Sequence, residues 1–265
     1  MAGDDGVGGL PWQPVAAELA GTALLVLVGL SLVIVMFGTG SPLPALLPSE
    51  GLRRLFTGFL FGTTGALIAL SPLGKESGAH INPVVTLGFW MMGKLGTRIA
   101  IGYVAAQVVG ACIGCLPLLA WGAMGRSVAL GATLPGAGYP LVVVLLGEVI
   151  ATFTMVSLLS VFLGFRVIRP YTPALFPFLY AIMVWLEAPI SGTSTNPARS
   201  LGPAVISGEW QGWWIYCLGP LIGAVSAVIA CSFLAKRIEV AKLYHFESDR
   251  RRIFRALPAS VRDLT

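Results

Sequence analysis

Two Asn-Pro dipeptides carry the chemistry of this chain, and their surroundings match. The first lies in Ser77-Gly78-Ala79-His80-Ile81-Asn82-Pro83-Val84. The second lies in Ser191-Gly192-Thr193-Ser194-Thr195-Asn196-Pro197-Ala198, followed at once by Arg199. Asn is a strong helix N-cap and Pro is pre-set for the first helical position, so each dipeptide starts a helix. A capping Asn accepts with its side-chain oxygen and keeps its amide N–H groups to donate. Two such donors aimed at one point bind the oxygen of a passing water or hydroxyl. The plainer reading, two caps and nothing more, is disfavoured by the pairing. Arg199 adds a fixed charge and a fork of donors in the first turn after the second cap. Glu18 and Glu148 hold equivalent places in the two halves. They are open to two readings, a proton relay or acceptors for loop N–H groups. No catalytic triad, metal-ligand cluster or phosphate loop stands out, so no enzyme and no cofactor is expected. Cys112 and Cys115 sit in an apolar stretch without His or acidic neighbours and read as packed thiols.

The elements that position these residues belong to a membrane. The 265 residues are 56% hydrophobic and 11% charged, with mean hydropathy +0.84. A soluble domain carries about 25% charged residues. Apolar runs near 14–38, 52–71, 98–121, 140–164, 171–188 and 211–235 are close to the length of a spanning helix. The stretches 83–92 and 197–207 are shorter. Ten residues at 1.5 Å rise make roughly 15 Å, about half the hydrocarbon thickness. The halves repeat: Glu18 and Thr22 match Glu148 and Thr152, and Tyr103, Gln107 and Gly110 match Tyr216, Pro220 and Gly223. Three full spans per half make the second half enter from the opposite side, an inverted repeat. The expected fold is all-α, with one domain over 1–235, repeats at about 12–122 and 139–235, and a basic tail over 236–265.

Depth gives the residues further meaning. Arg199 inside a membrane marks a functional position, and a snorkel to the surface is disfavoured at a re-entrant helix start. Non-helical backbone at this depth is tolerated only where carbonyls face water. The carbonyls of Gly78, Ala79, His80, Gly192, Thr193 and Ser194 are therefore expected to form a ladder opposite an apolar wall. His80 lines a vestibule, where a satisfied structural role is favoured over pH sensing. Glu187 either rims the outer vestibule or is solvated. Both termini are expected in the cytoplasm, because thirteen Lys/Arg then lie inside and four outside. The tail, with Lys236, Arg237, Arg250, Arg251 and Arg252, reads as a solvated anchor on anionic lipid. No nucleic-acid partner is indicated.

These paired motifs and glutamates resemble the aquaporin (major intrinsic protein) family from about Glu18 to Phe233. The run from Asn196 to Pro203 with Trp214-Ile215-Tyr216 looks most like nodulin-26-like intrinsic proteins and their bacterial relatives. The resemblance implies six tilted helices with two re-entrant half-helices. It also implies a homotetramer in a plasma or bacterial inner membrane, with one pore per subunit. It makes Arg199 the filter arginine and favours a structural role for Glu18 and Glu148. Family spacing places Gly62, Val184 and Thr193 beside Arg199, with Phe61 replacing Gly62 if one loop is a residue longer. The Gly62 set is wide and implies glycerol, urea, or boric, silicic or arsenous acid besides water. Ser200 and Ala204 look like water-channel markers and point the other way. Val84 stands where the family pattern has Ala, and is read as tuning. The implied function is passive permeation of water and small neutral solutes, excluding protons and ions. The rival is an ion- or proton-coupled secondary transporter, which should show a further ionisable group at the broken helices.

Overall fold

The computed structural model describes residues 10–239 and 241–243. Arg250, Arg251 and Arg252, on which much of the anchor reading rests, lie outside the described residues. Among the described residues eleven α-helices follow one another: α1 (Trp12–Phe37), α2 (Leu43–Leu46), α3 (Glu50–Leu70), α4 (Pro72–Ser77), α5 (Pro83–Met91), α6 (Thr97–Cys115), α7 (Gly122–Arg126), α8 (Leu141–Gly164), α9 (Thr172–Ser191), α10 (Pro197–Ser207) and α11 (Ile215–Ala230). α1, α3, α6, α8, α9 and α11 take the places of the six expected spans. α6 continues as a 3₁₀ turn to Trp121, and α11 starts only after turns through Trp213 and Trp214. α3 bears Glu50, Arg53 and Arg54 in its first turns, and α11 has 16 residues, so these two are the least span-like by composition and length. Apolar side chains stay exposed along the outside, among them Leu24, Ile101, Val109, Ile150 and Phe178. Such a surface suits lipid rather than water.

α5 and α10 are the two half-helices, with 9 and 11 residues. In each, the Asn is extended and caps, and the Pro takes the first turn. α1 starts and α11 ends on one face, called here the terminal face. α5 runs from the middle toward that face and α10 runs toward the opposite one.

Glycines set the helix crossings, and they do so twice over. A Cβ on Gly110 of α6 would lie 2.3 Å from the Leu19 carbonyl oxygen of α1. On Gly223 of α11 it would lie 2.5 Å from the Val149 carbonyl oxygen of α8. Leu19 and Val149 directly follow the paired glutamates, so the two crossings are equivalent. Neither site has room for a methyl group. Gly110→Val is expected to lower the thermal midpoint in detergent, since overpacking costs about 1–3 kcal/mol. An unchanged midpoint would show the crossing to be looser than these distances.

Candidate functional site

The two loops that lead into the half-helices meet at the middle of the bundle. Asn82 Oδ1 accepts from the Val84 N–H (3.0 Å), and Asn196 Oδ1 accepts from the N–H groups of Ala198 (3.1 Å) and Arg199 (3.3 Å). Each side-chain amide also crosses to the other loop. Asn82 Nδ2 donates to the Thr195 carbonyl (2.9 Å), and Asn196 Nδ2 donates to the Ile81 carbonyl (2.9 Å). The acceptor in each case is the residue just before the partner Asn. An amide nitrogen carries two hydrogens, so one remains on each Asn rather than the two expected. This reciprocal clasp is invisible in sequence, because nothing in either motif names the other's carbonyl.

The loops hold an uncommon backbone. Gly78, Ala79 and Ile81 have φ of +92°, +52° and +41°; Gly192, Thr193 and Thr195 have +83°, +54° and +50°. The same offsets from Asn recur in both. A non-glycine residue in this region costs of order 1–3 kcal/mol and needs its surroundings to hold it. Glu18 and Glu148 do so. Glu18 accepts from the N–H groups of His80 (2.8 Å) and Ile81 (2.6 Å), the Ser77 hydroxyl (2.7 Å) and Gln107 Nε2 (2.8 Å). Glu148 accepts from the N–H groups of Ser194 (2.7 Å) and Thr195 (2.9 Å) and the Ser191 hydroxyl (2.6 Å). Both carboxylates are fully buried. The sequence sets Ser77 and Ser191 at one offset before each Asn but gives neither a role. Each also accepts from the N–H two residues on (3.1 Å in both). Their signal was the Ser-Gly standing at one offset before each Asn.

A narrow cavity of about 40 Å³ lies where the loops meet. One water needs about 10–15 Å³, so the space suits a short file. His80, Asn82 and Asn196 give it polar groups; Leu25, Val85, Met155 and Phe176 give an apolar side. His80 is satisfied on both ring nitrogens, Nδ1 at 3.1 Å from Thr86 Oγ1 and Nε2 at 2.9 Å from the Ala241 carbonyl. Its ring stacks on Phe89 at 4.7 Å. Arg199 is buried, and its Nη1 donates to the Gly131 carbonyl at 2.9 Å. At the terminal face, burial pushes the Lys94 ammonium below the usual lysine range while Glu239 pulls it back up.

A scan against family models matches residues 10–231 to "Major intrinsic protein". The chain belongs to the major intrinsic protein family. Aquaporin AqpM of Methanothermobacter marburgensis is 33% identical over 82% of this chain and 95% of its own. Aquaporin NIP1-1 of Zea mays is 35% identical over 63% of this chain and 59% of its own. Among solved structures, the aquaglyceroporin from Plasmodium falciparum superposes with a TM-score of 0.65 over 85% of this chain and 96% of that one, at 20% identity. The fold of the family is therefore the fold described above. As a member of the major intrinsic protein family, the chain is an integral membrane protein and a passive channel for water and small solutes. A coupled carrier is not favoured.

Against the family pattern, some expected positions move. Gly62 touches the cavity, but its Cβ direction points at α9, 2.3 Å from the Phe176 carbonyl oxygen. A side chain there would enter the helix crossing and not the lumen. Phe61, its neighbour, is in the cavity wall, and its ring stacks on Tyr180 at 6.0 Å. Val184 packs against Gly58 at the same α3–α9 crossing. Val184, Thr193 and Arg199 lie outside this cavity, toward the face opposite the termini. The Gly78 carbonyl is shared: it accepts from the Leu243 N–H at 3.0 Å, which leaves it one lone pair for the ladder. Glu187 is half-buried. It packs against Gly147 of α8 and accepts from the Thr193 hydroxyl. Val84 is buried in the main core and is not in the cavity wall.

Proposed function

We propose that this channel conducts water in preference to larger neutral solutes and excludes protons and ions. The observation that carries this reading is the reciprocal clasp of Asn82 and Asn196 in a cavity of about 40 Å³, room for a few waters. Each Asn keeps one N–H for a passing oxygen. Both half-helices aim their N-termini at that point, where their dipoles sum to positive potential. A cation meets that field, and a water between the two donors turns its own hydrogens outward. The hydrogen-bonded file is then interrupted, the arrangement known for aquaporin-type pores.

Phe61 is the aromatic of the second span, and its ring narrows the lumen beside Tyr180. Arg199, held by Gly131, supplies the filter's charge, with Thr193 and Val184 beside it. The remaining loop carbonyls, from Ala79, His80, Gly192, Thr193 and Ser194, give water its line of acceptors. Glu18 and Glu148 are structural supports for the loops, each already occupied by three or more donors. Four copies assemble through the exposed apolar helix faces, and lipid covers the rest. The terminal face is cytoplasmic, since Lys75, Lys94, Arg98, Arg166 and Arg169 gather there. The membrane is a plasma membrane or a bacterial inner membrane.

Stopped-flow light scattering of proteoliposomes tests the solute. Under a sucrose gradient fast shrinkage is expected, and under a glycerol gradient no fast re-swelling. Phe61→Gly is expected to gain fast glycerol re-swelling while keeping the water response. Fast glycerol entry in the unaltered protein would instead restore the wide filter and remove Phe61 from it.

A further inference from the structure

We propose that Ile238, Glu239, Ala241, Lys242 and Leu243, the described residues beyond the last turns after α11, form a strap that closes the pore at its terminal-face mouth, with Leu243 as the closing side chain. The inference rests on the channel reading above. The sequence suggested a solvated basic anchor here, yet Ile238, Ala241, Lys242 and Leu243 are all buried. A lysine is almost never this deep unless partnered, and Lys242 is 3% exposed.

Polar contacts pin the strap to the loop that carries the first motif. The Leu243 N–H donates to the Gly78 carbonyl (3.0 Å), the Ala241 carbonyl lies 2.9 Å from His80 Nε2, and Lys242 Nζ donates to the Lys75 carbonyl (2.9 Å). Just upstream, Glu239 pairs with Arg169 (3.1 Å) and Arg166 (3.3 Å). Gly78 permits the approach twice over. Its φ of +92° suits glycine, and a Cβ there would meet the Ala241 carbonyl oxygen at 2.6 Å.

The decisive placement is that of Leu243. It stands in the wall of the same cavity as His80, Asn82 and Asn196. The tail thus supplies an apolar group to a lumen otherwise built by the helices and loops. The Gly78 carbonyl already accepts from the strap's Leu243 N–H, which leaves it one lone pair for water at this level. Its release uncovers Ile238, Ala241 and Leu243, which pack in the main core, but breaks fewer backbone hydrogen bonds than unwinding a helix does. The strap is therefore suited to regulate flux without refolding the channel.

The test compares the full chain with three variants in proteoliposomes under a sucrose gradient. Leu243→Ala and a chain ending before Ala241 are expected to raise water permeability per protein several-fold. Leu243→Trp is expected to lower it several-fold. Leu243→Ala leaves every polar anchor in place, so its result stands even if the shortened chain fails to fold. Equal flux through the full chain and Leu243→Ala, or undiminished flux through Leu243→Trp, overturns the strap and leaves the channel reading intact. No protein-dependent flux in the full chain or in any variant overturns both.

Discussion

Glu18→Ala is expected to yield no monodisperse protein from detergent extracts. The carboxylate takes four buried donors, from Ser77, His80, Ile81 and Gln107. A buried donor left without a partner costs about 1–3 kcal/mol. Four of them together approach the about 5–15 kcal/mol that holds a typical domain folded. The loss is larger still because the loop backbone at Ala79 and Ile81 is held against its own preference. Glu148→Ala removes the acceptor for three donors instead of four, so its damage is expected to be the lesser. Glu18→Gln keeps an acceptor oxygen but turns an NH₂ group toward two of the donors, and is expected to fall between. Size-exclusion profiles and thermal midpoints of the three variants check this order. A well-behaved Glu18→Ala with an unaltered midpoint would mean that the loop holds its shape by itself.

The second large effect is expected at Arg199. Its guanidinium is buried one turn beyond Asn196 and held by the Gly131 carbonyl. A cation passing at 4 Å meets a repulsion of about 4 kcal/mol at an effective dielectric of 20. At 1.36 kcal/mol per decade, removing it relaxes the barrier by up to about three decades. Arg199→Val is therefore expected to make proteoliposomes leak cations or protons while water flow continues. A pH-sensitive dye inside the vesicles reads the proton leak directly. If the variant conducts water and stays as proton-tight as the parent, the barrier lies at the Asn pair and the helix ends alone.

Much of this molecule was legible in its sequence because the cues are local. Asn82-Pro83 and Asn196-Pro197 announce two helix starts through capping chemistry alone, and the half-helices end within a residue of where they were expected. The paired glutamates and the Tyr103 and Tyr216 spacings disclosed the repeat. What stayed hidden depends on distance in space. Gly62 was placed by counting back from Asn82, and counting assumes a fixed path through the loop and α4. A small residue at a helix crossing and a small residue in a wide filter look alike in sequence; only the direction of the absent side chain separates them. Gly131 gave no sign that its carbonyl would hold Arg199, since any residue has a carbonyl. The strap was hidden for the opposite reason. Lys236 and Arg237 make the tail look wet, and composition cannot say that Ala241 and Leu243 fold back beneath Gly78.

The clasp between the two loops also bears on how the protein is made. The first repeat leaves the ribosome while the second is still being synthesised. At that stage Asn82 has no Thr195 carbonyl to bind, and the Ile81 carbonyl has no Asn196. The first re-entrant segment thus enters the translocon with unsatisfied polar backbone, which hydrocarbon does not tolerate. It can settle only when the last third of the chain arrives with the matching groups. Insertion of the first half is then provisional, and completion is a late, all-or-none event joining residues more than a hundred positions apart.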